Sequence, residues 1–121
     1  MLLMATRVLI VDDHPSFRAM ARALLEAEGF EVVGEAETGI AGLRAAKELQ
    51  PDLVLLDVQL PDFDGFEVAA RLTSANGDSP AVVLTSSRDA SDFGPLVAES
   101  GAKGFVPKAE LSGGALATLI E

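Results

Sequence analysis

The sequence has no cysteine, no tryptophan and no tyrosine, and one histidine among 121 residues. Without cysteine, thiolate catalysis, cysteine-based zinc sites and iron–sulfur clusters are excluded. The same absence fits a reducing compartment. Basic residues are scarce too: 9 Lys+Arg stand against 19 Asp+Glu, a net charge of -10. Non-specific nucleic-acid binding needs cations to neutralise phosphates, so no direct nucleic-acid binding is expected. Attraction to an anionic membrane surface is not expected on the same ground. Long hydrophobic runs are missing. Met1 to Val11 is apolar, but Arg7 interrupts it and Asp12-Asp13 ends it. That is too short for a secretory signal or a membrane span.

Several motifs are absent as well. Gly34-Glu35-Ala36-Glu37-Thr38-Gly39 has glycines at phosphate-loop spacing. It lacks the following Lys-Ser/Thr, and its two glutamates would repel phosphate, so it reads as a turn and helix cap. No G-x-S-x-G elbow occurs, and no dinucleotide fingerprint follows the first strand. His14, alone and next to Pro15, reads as a partly exposed turn residue.

What is present is a globular composition, 49% hydrophobic and 23% charged. The length indicates one domain, 1–121, with a folded core from about residue 6. Short apolar runs alternate with segments of helical period. The runs are Val8–Val11, Phe30–Gly34, Leu53–Leu56, Ala81–Leu84 and Phe105-Val106. Apolar residues at every position, rather than every second one, predict strands buried on both faces of a parallel sheet.

Between them, Pro15 opens a first helix carrying Phe17, Met20, Ala21, Leu24 and Leu25, and Gly29 stops it. Thr38 caps a second with Ile40, Leu43 and Leu49, ended by Pro51. Asp64 caps a third with Phe66, Ala69, Ala70 and Thr73 on one stripe, closed by Asn76-Gly77. Ser112 caps a fifth with Leu116, Leu119 and Ile120. The fourth is poorly written, because Gly94-Pro95 removes a backbone donor. It is expected to be short, from about Pro95, after a loose segment from Arg88. Five βα units predict an α/β, doubly wound (βα)5 domain, a three-layer sandwich. Its five-stranded parallel sheet would run 2-1-3-4-5, with a topological switch beside the first and third strands.

The chemistry-bearing residues fall at strand ends: Asp12-Asp13 after the first, Asp57 after the third, Thr85-Ser86 after the fourth and Lys108 after the fifth. Singly, each acid reads as a helix cap or loop residue. Together they converge on the edge where such sheets bind ligands. Three adjacent carboxylates repel one another, and a divalent cation resolves that. Oxygen ligands of this kind suit Mg²⁺, with Mn²⁺ as an alternative. Asp57 is the natural nucleophile for an aspartyl phosphate. Asp13 and Asp57 would hold the ion, Asp12 would act directly or through water, and a backbone carbonyl near Gln59 would complete the set. Thr85 offers a hydroxyl and Lys108 a point charge to phosphoryl oxygens.

Val11-Asp12-Asp13-His14-Pro15, Leu55-Leu56-Asp57-Val58-Gln59-Leu60-Pro61-Asp62-Phe63-Asp64-Gly65, Leu84-Thr85-Ser86 and Gly101-Ala102-Lys103-Gly104-Phe105-Val106-Pro107-Lys108 together closely resemble the receiver domain of two-component response regulators, the CheY-like superfamily. The resemblance covers essentially the whole chain. It implies a cytoplasmic signalling switch rather than an enzyme acting on external substrates. A sensor histidine kinase would phosphorylate Asp57 with Mg²⁺. Thr85 would then move toward the phosphoryl group and Phe105 turn inward, altering the face of the fourth helix, fifth strand and fifth helix. Gln59 and Ser87 occupy places that tune dephosphorylation in the family. A homodimer through that face, or through the first and fifth helices, is implied as well. Lys108 is followed by Ala109 where many receivers have proline, and the Lys-Ala-Glu-Leu ending is similar to LuxR/NarL-type regulators. Control of transcription would then act through an output domain, none being present in this chain. The alternatives are a phosphorylation-independent interaction or dimerisation module, and an Mg²⁺-dependent phosphatase, which usually needs a lid that this length does not accommodate.

Overall fold

In a computed structural model, residues 5–74, 79–87 and 93–120 are described. Five strands, β1 (Arg7–Val11), β2 (Glu31–Ala36), β3 (Leu53–Asp57), β4 (Ala81–Ser86) and β5 (Gly104–Pro107), form one sheet in the order β2-β1-β3-β4-β5. All four pairings are parallel. The helices are α1 (Pro15–Ala27), α2 (Gly39–Leu49), α3 (Gly65–Thr73), α4 (Leu96–Glu99) and α5 (Gly113–Ile120), and a 3-10 turn covers Lys108–Glu110.

The apolar strand runs bury both faces because alternate residues point to opposite sides. Val8 and Ile10 join Leu53, Leu55 and Val83 in a core with Phe17, Ala21 and Leu25 of α1 and Leu116 of α5. Leu9 and Val11 join Val54, Leu56, Val82 and Leu84 in a second core with Val68 and Leu72 of α3. This is the three-layer arrangement expected for a doubly wound sheet.

The caps match their sequence signals. Thr38 Oγ1 accepts from the Ala41 amide at 3.0 Å, Asp64 Oδ1 from the Glu67 amide at 2.8 Å, and Ser112 Oγ from the Ala115 amide at 3.0 Å. Gly29 follows α1 at a φ of 97°, a conformation that side-chain-bearing residues rarely adopt.

Four sequence expectations are corrected. Met20 and Ile40 are 43% and 47% exposed rather than core residues. Ala70 is exposed, and the buried stripe of α3 is Gly65, Val68, Ala69 and Leu72. Gly34 to Ala36 belong to β2, so the turn begins only at Glu37. Asp57 is the last residue of β3, and Thr85 and Ser86 the last of β4, rather than residues after those strands. α4 is the short helix after Pro95 that Gly94-Pro95 predicted. The loose segment from Arg88 and the Asn76-Gly77 stop lie largely or wholly outside the described residues.

Candidate functional site

The parallel sheet brings the C-terminal ends of β1, β3 and β5 to one edge. Asp12 follows β1 and is fully buried, Asp57 ends β3 at 2% exposure, and Lys108 follows β5. Lys108 Nζ lies 2.8 Å from Asp12 Oδ2 and 3.1 Å from Asp57 Oδ2. It also stands 4.5 Å from the centre of the Phe17 ring, a cation–π contact. Asp13 is half-buried beside the pair. One oxygen from each of Asp12, Asp13 and Asp57, with one nitrogen of His14, lie within 4.8 Å of one another.

Each group is positioned by backbone. The Gln59 amide donates to Asp57 Oδ1 at 2.9 Å, and the His14 amide to Asp12 Oδ1 at 2.8 Å. Arg18 Nη1 donates to the Asp12 carbonyl at 2.6 Å. Beneath Asp57, the Val58 amide bonds to the Thr85 carbonyl at 3.0 Å, and the Gly65 amide to the Val58 carbonyl at 2.7 Å. The start of α3 is thereby tied to the end of β3.

Burial pushes the Asp57 carboxyl above its ordinary value. The Gln59 amide opposes this, the Asp12 charge adds to it, and Lys108 opposes it. Burial alone would lower Lys108. Its bonds to Asp12 and Asp57 and their charges outweigh that and raise it, so the ammonium form is held.

This donor set fits a hard dication. Asp12 Oδ2 and Asp13 Oδ1 are both buried oxygens. What each has is a neighbouring nitrogen, Lys108 Nζ at 2.8 Å and His14 Nδ1 at 3.2 Å. Three carboxylates gathered about a single ammonium are an arrangement that a divalent cation satisfies.

Asp12, Asp13, Asp57 and Lys108 therefore converge as the sequence suggested. Thr85 is the register partner of Asp57, but its hydroxyl donates to the Val106 carbonyl at 2.6 Å. Phe105 lies half-buried away from the acids, its ring 5.5 Å from that of Phe93. Gln59 meets the site through its amide, and it bridges to Asp64 across the β3–α3 loop.

Two residues were missed. His14, read as a turn residue, is 60% exposed at its side chain, yet its Nδ1 reaches Asp12 Oδ1 at 3.0 Å and lies 3.3 Å from Lys108 Nζ. Its spacing of two from Asp12 was the available signal, since an Asp commonly accepts from the amide two residues on. Asp62 accepts from the amides of Gly39 at 2.7 Å and Ile40 at 2.9 Å, capping α2 from the β3–α3 loop. Those amides hold its carboxyl below the ordinary value. No local sequence signal marks that contact.

The family model for the response regulator receiver domain matches residues 8–120. The chain is 49% identical over 107 residues to BvgA of Bordetella pertussis, covering 88% of this chain and 51% of that protein. It is 43% identical over 107 residues to the DNA-binding response regulator MtrA of Mycolicibacterium smegmatis, covering 87% and 45%. The signal receiver domain of NarL from Mycobacterium tuberculosis superposes with a TM-score of 0.84 at 35% identity, covering 97% and 98%. The chain spans about half the length of the curated relatives it matches.

Proposed function

Given that the chain belongs to the response regulator receiver domain family, we propose that Asp57 is its phosphoacceptor and that a sensor histidine kinase is the donor. The observation that carries this reading is a buried carboxylate at the end of β3 with an ammonium 3.1 Å away and two further acids beside it. A carboxylate oxygen of Asp57 attacks the phosphorus of a phosphohistidine. The new O–P bond forms as the P–N bond breaks, and its electron pair returns to the kinase imidazole. The product is an aspartyl phosphate.

Phosphoryl transfer asks the protein mainly for positioning and charge neutralisation. Asp13 and Asp57, with Asp12 and the Gln59 carbonyl, are the residues that would hold Mg²⁺ or Mn²⁺. Such an ion supplies positive charge against the carboxylates and the phosphoryl oxygens. Lys108 Nζ, held protonated, supplies a second positive charge at one phosphoryl oxygen. The Thr85 hydroxyl, now donating to the Val106 carbonyl, would turn to another. Doing so releases the carbonyl of β5 next to Phe105, which gives the switch of Thr85 and Phe105 a mechanical link. The chemistry is confined to the chain's own phosphorylation and its slow reversal. The switched face of α4, β5 and α5 would act in the cytoplasm on transcription through an output region. A homodimer would form through that face or through α1 and α5.

Intact-mass analysis after incubation with a small acyl phosphate and Mg²⁺ tests the reading. Wild type is expected to gain one phosphoryl group, and Asp57→Asn none. An undiminished adduct on the variant, or none on wild type, refutes it.

A further inference from the structure

His14 is the only histidine in a chain without cysteine. It is therefore the one imidazole or thiolate among these 121 residues that a metal could meet. Its Nδ1 lies 3.0 Å from Asp12 Oδ1, 3.2 Å from Asp13 Oδ1 and 3.8 Å from Asp57 Oδ2. Donor atoms about 2.1 Å from one octahedral cation stand about 3.0 Å from their neighbours. The first two separations are those of adjacent ligands, and the third, 3.8 Å, falls between the adjacent and the opposite separation of such a site. Asp12 is fully buried, and the close partner of its Oδ2 is the Lys108 ammonium at 2.8 Å. The Lys108 ammonium lies within 3.3 Å of that oxygen, Asp57 Oδ2 and His14 Nδ1 alike. A positive charge thus already stands among one nitrogen and two carboxylate donors. The same ammonium stands 4.5 Å from the centre of the Phe17 ring.

We propose that His14 Nδ1 is a direct ligand, which makes the pocket a mixed nitrogen–oxygen site. In the tautomer that leaves Nδ1 unprotonated, its lone pair adds a softer donor to three carboxylates. Imidazole favours Ni²⁺ and Zn²⁺, whereas carboxylate and water suit Mg²⁺. Borderline first-row dications therefore bind this pocket more tightly than Mg²⁺ and compete with it for Asp13 and Asp57. The inference rests on the reading of the pocket as a cation site, and adds the ligand that sets which cation it prefers.

Isothermal titration calorimetry of tag-free protein with NiCl₂ and MgCl₂ tests it, on wild type, His14→Asn and His14→Phe. Ni²⁺ and Mg²⁺ both accept octahedral sites, so the comparison isolates donor softness. Outer-shell partners of a metal cost roughly tenfold in affinity or more when removed, and a direct ligand is expected to cost at least that for Ni²⁺. Mg²⁺ affinity should change little. Ni²⁺ should also broaden the single imidazole's NMR signals at stoichiometric addition. The side chain is 60% exposed, and a thermal melt of each variant verifies folding. An unchanged ratio of Ni²⁺ to Mg²⁺ affinity in both variants overturns the role of His14 alone. Failure of Mg²⁺ to bind wild type, with His14-dependent Ni²⁺ binding intact, counts instead against the Mg²⁺ reading and leaves this one standing.

Discussion

Replacing Gly65 by alanine should separate the packing beneath Asp57 from the helical preference of the new residue. Gly65 is the first residue of α3, and its amide bonds to the Val58 carbonyl at 2.7 Å. A methyl group there would overlap the Asp57 carbonyl oxygen and stand 2.6 Å from Val58 Cα. Both obstacles are backbone, so neither can rotate away, and α3 must lift from the end of β3. Alanine in a helix gains about 0.5–1 kcal/mol over glycine. Overpacking costs about 1–3 kcal/mol, and here the upper part of that range applies because nothing flexible yields. The expected net loss is about 1–2 kcal/mol. Gly114 in α5 provides the internal control. A methyl group there meets only Ser112 Oγ at 4.0 Å. Gly114→Ala should therefore stabilise by about 0.5–1 kcal/mol. Urea unfolding followed by circular dichroism at constant m measures both. Phosphodonor labelling of Gly65→Ala should also slow, since the lifted helix displaces the carboxylate's support. A Gly65→Ala protein as stable as wild type would refute the close-approach argument.

Two further outcomes follow from named contacts. Glu35 of β2 pairs with Arg22 at 2.7 Å and Arg18 at 3.0 Å, and the Arg22 bond holds its carboxyl below the ordinary 4.5. A depressed folded value stabilises above the unfolded one and is lost as pH falls through the folded one. Glu35→Gln should thus cost about 0.5–1 kcal/mol near neutrality after solvent screening. In urea titrations across pH the gap from wild type should close as pH drops below 4.5, and a gap that persists there contradicts the pairing. Thr85→Val keeps the side-chain volume but removes the buried donor to the Val106 carbonyl. It should lower stability by about 1–2 kcal/mol, and an unchanged urea midpoint would show that the hydroxyl bond contributes nothing.

The sheet was legible because its signal is redundant. Val8 to Val11 and Leu53 to Leu56 are apolar at every position, and only burial on both faces accommodates that. Helix faces were less legible where small residues carry the contact. In α2 the buried positions are Gly39, Gly42 and Ala46, because the helix lies close on β1. A methyl group on Gly42 would stand 2.9 Å from Val11 Cγ1. Hydrophobicity points to Ile40 and away from these glycines, yet close approach places Ile40 outward. In α3 the same preference for apolar residues put Ala70 on the stripe, although the stripe turns through Gly65 and Val68.

The site divides along the same line. Asp12, Asp57 and Lys108 were legible because strand ends of a parallel sheet share an edge, so topology alone makes them neighbours. Thr85 was expected just past β4 and lies within it, and its hydroxyl direction depends on the Val106 carbonyl across the β4–β5 pair, which no spacing encodes. His14 was discounted because a lone histidine beside a proline at a helix start is ordinarily a partly exposed turn residue. Its relevant neighbour, Lys108, is 94 residues away. The local Asp12–His14 turn fixes the backbone, and the sheet edge brings the rest. Residues whose role depends on one local turn and one remote strand end carry no periodic signal. They become visible only when the topology is applied to every polar residue within two positions of a strand end, not to the acids alone.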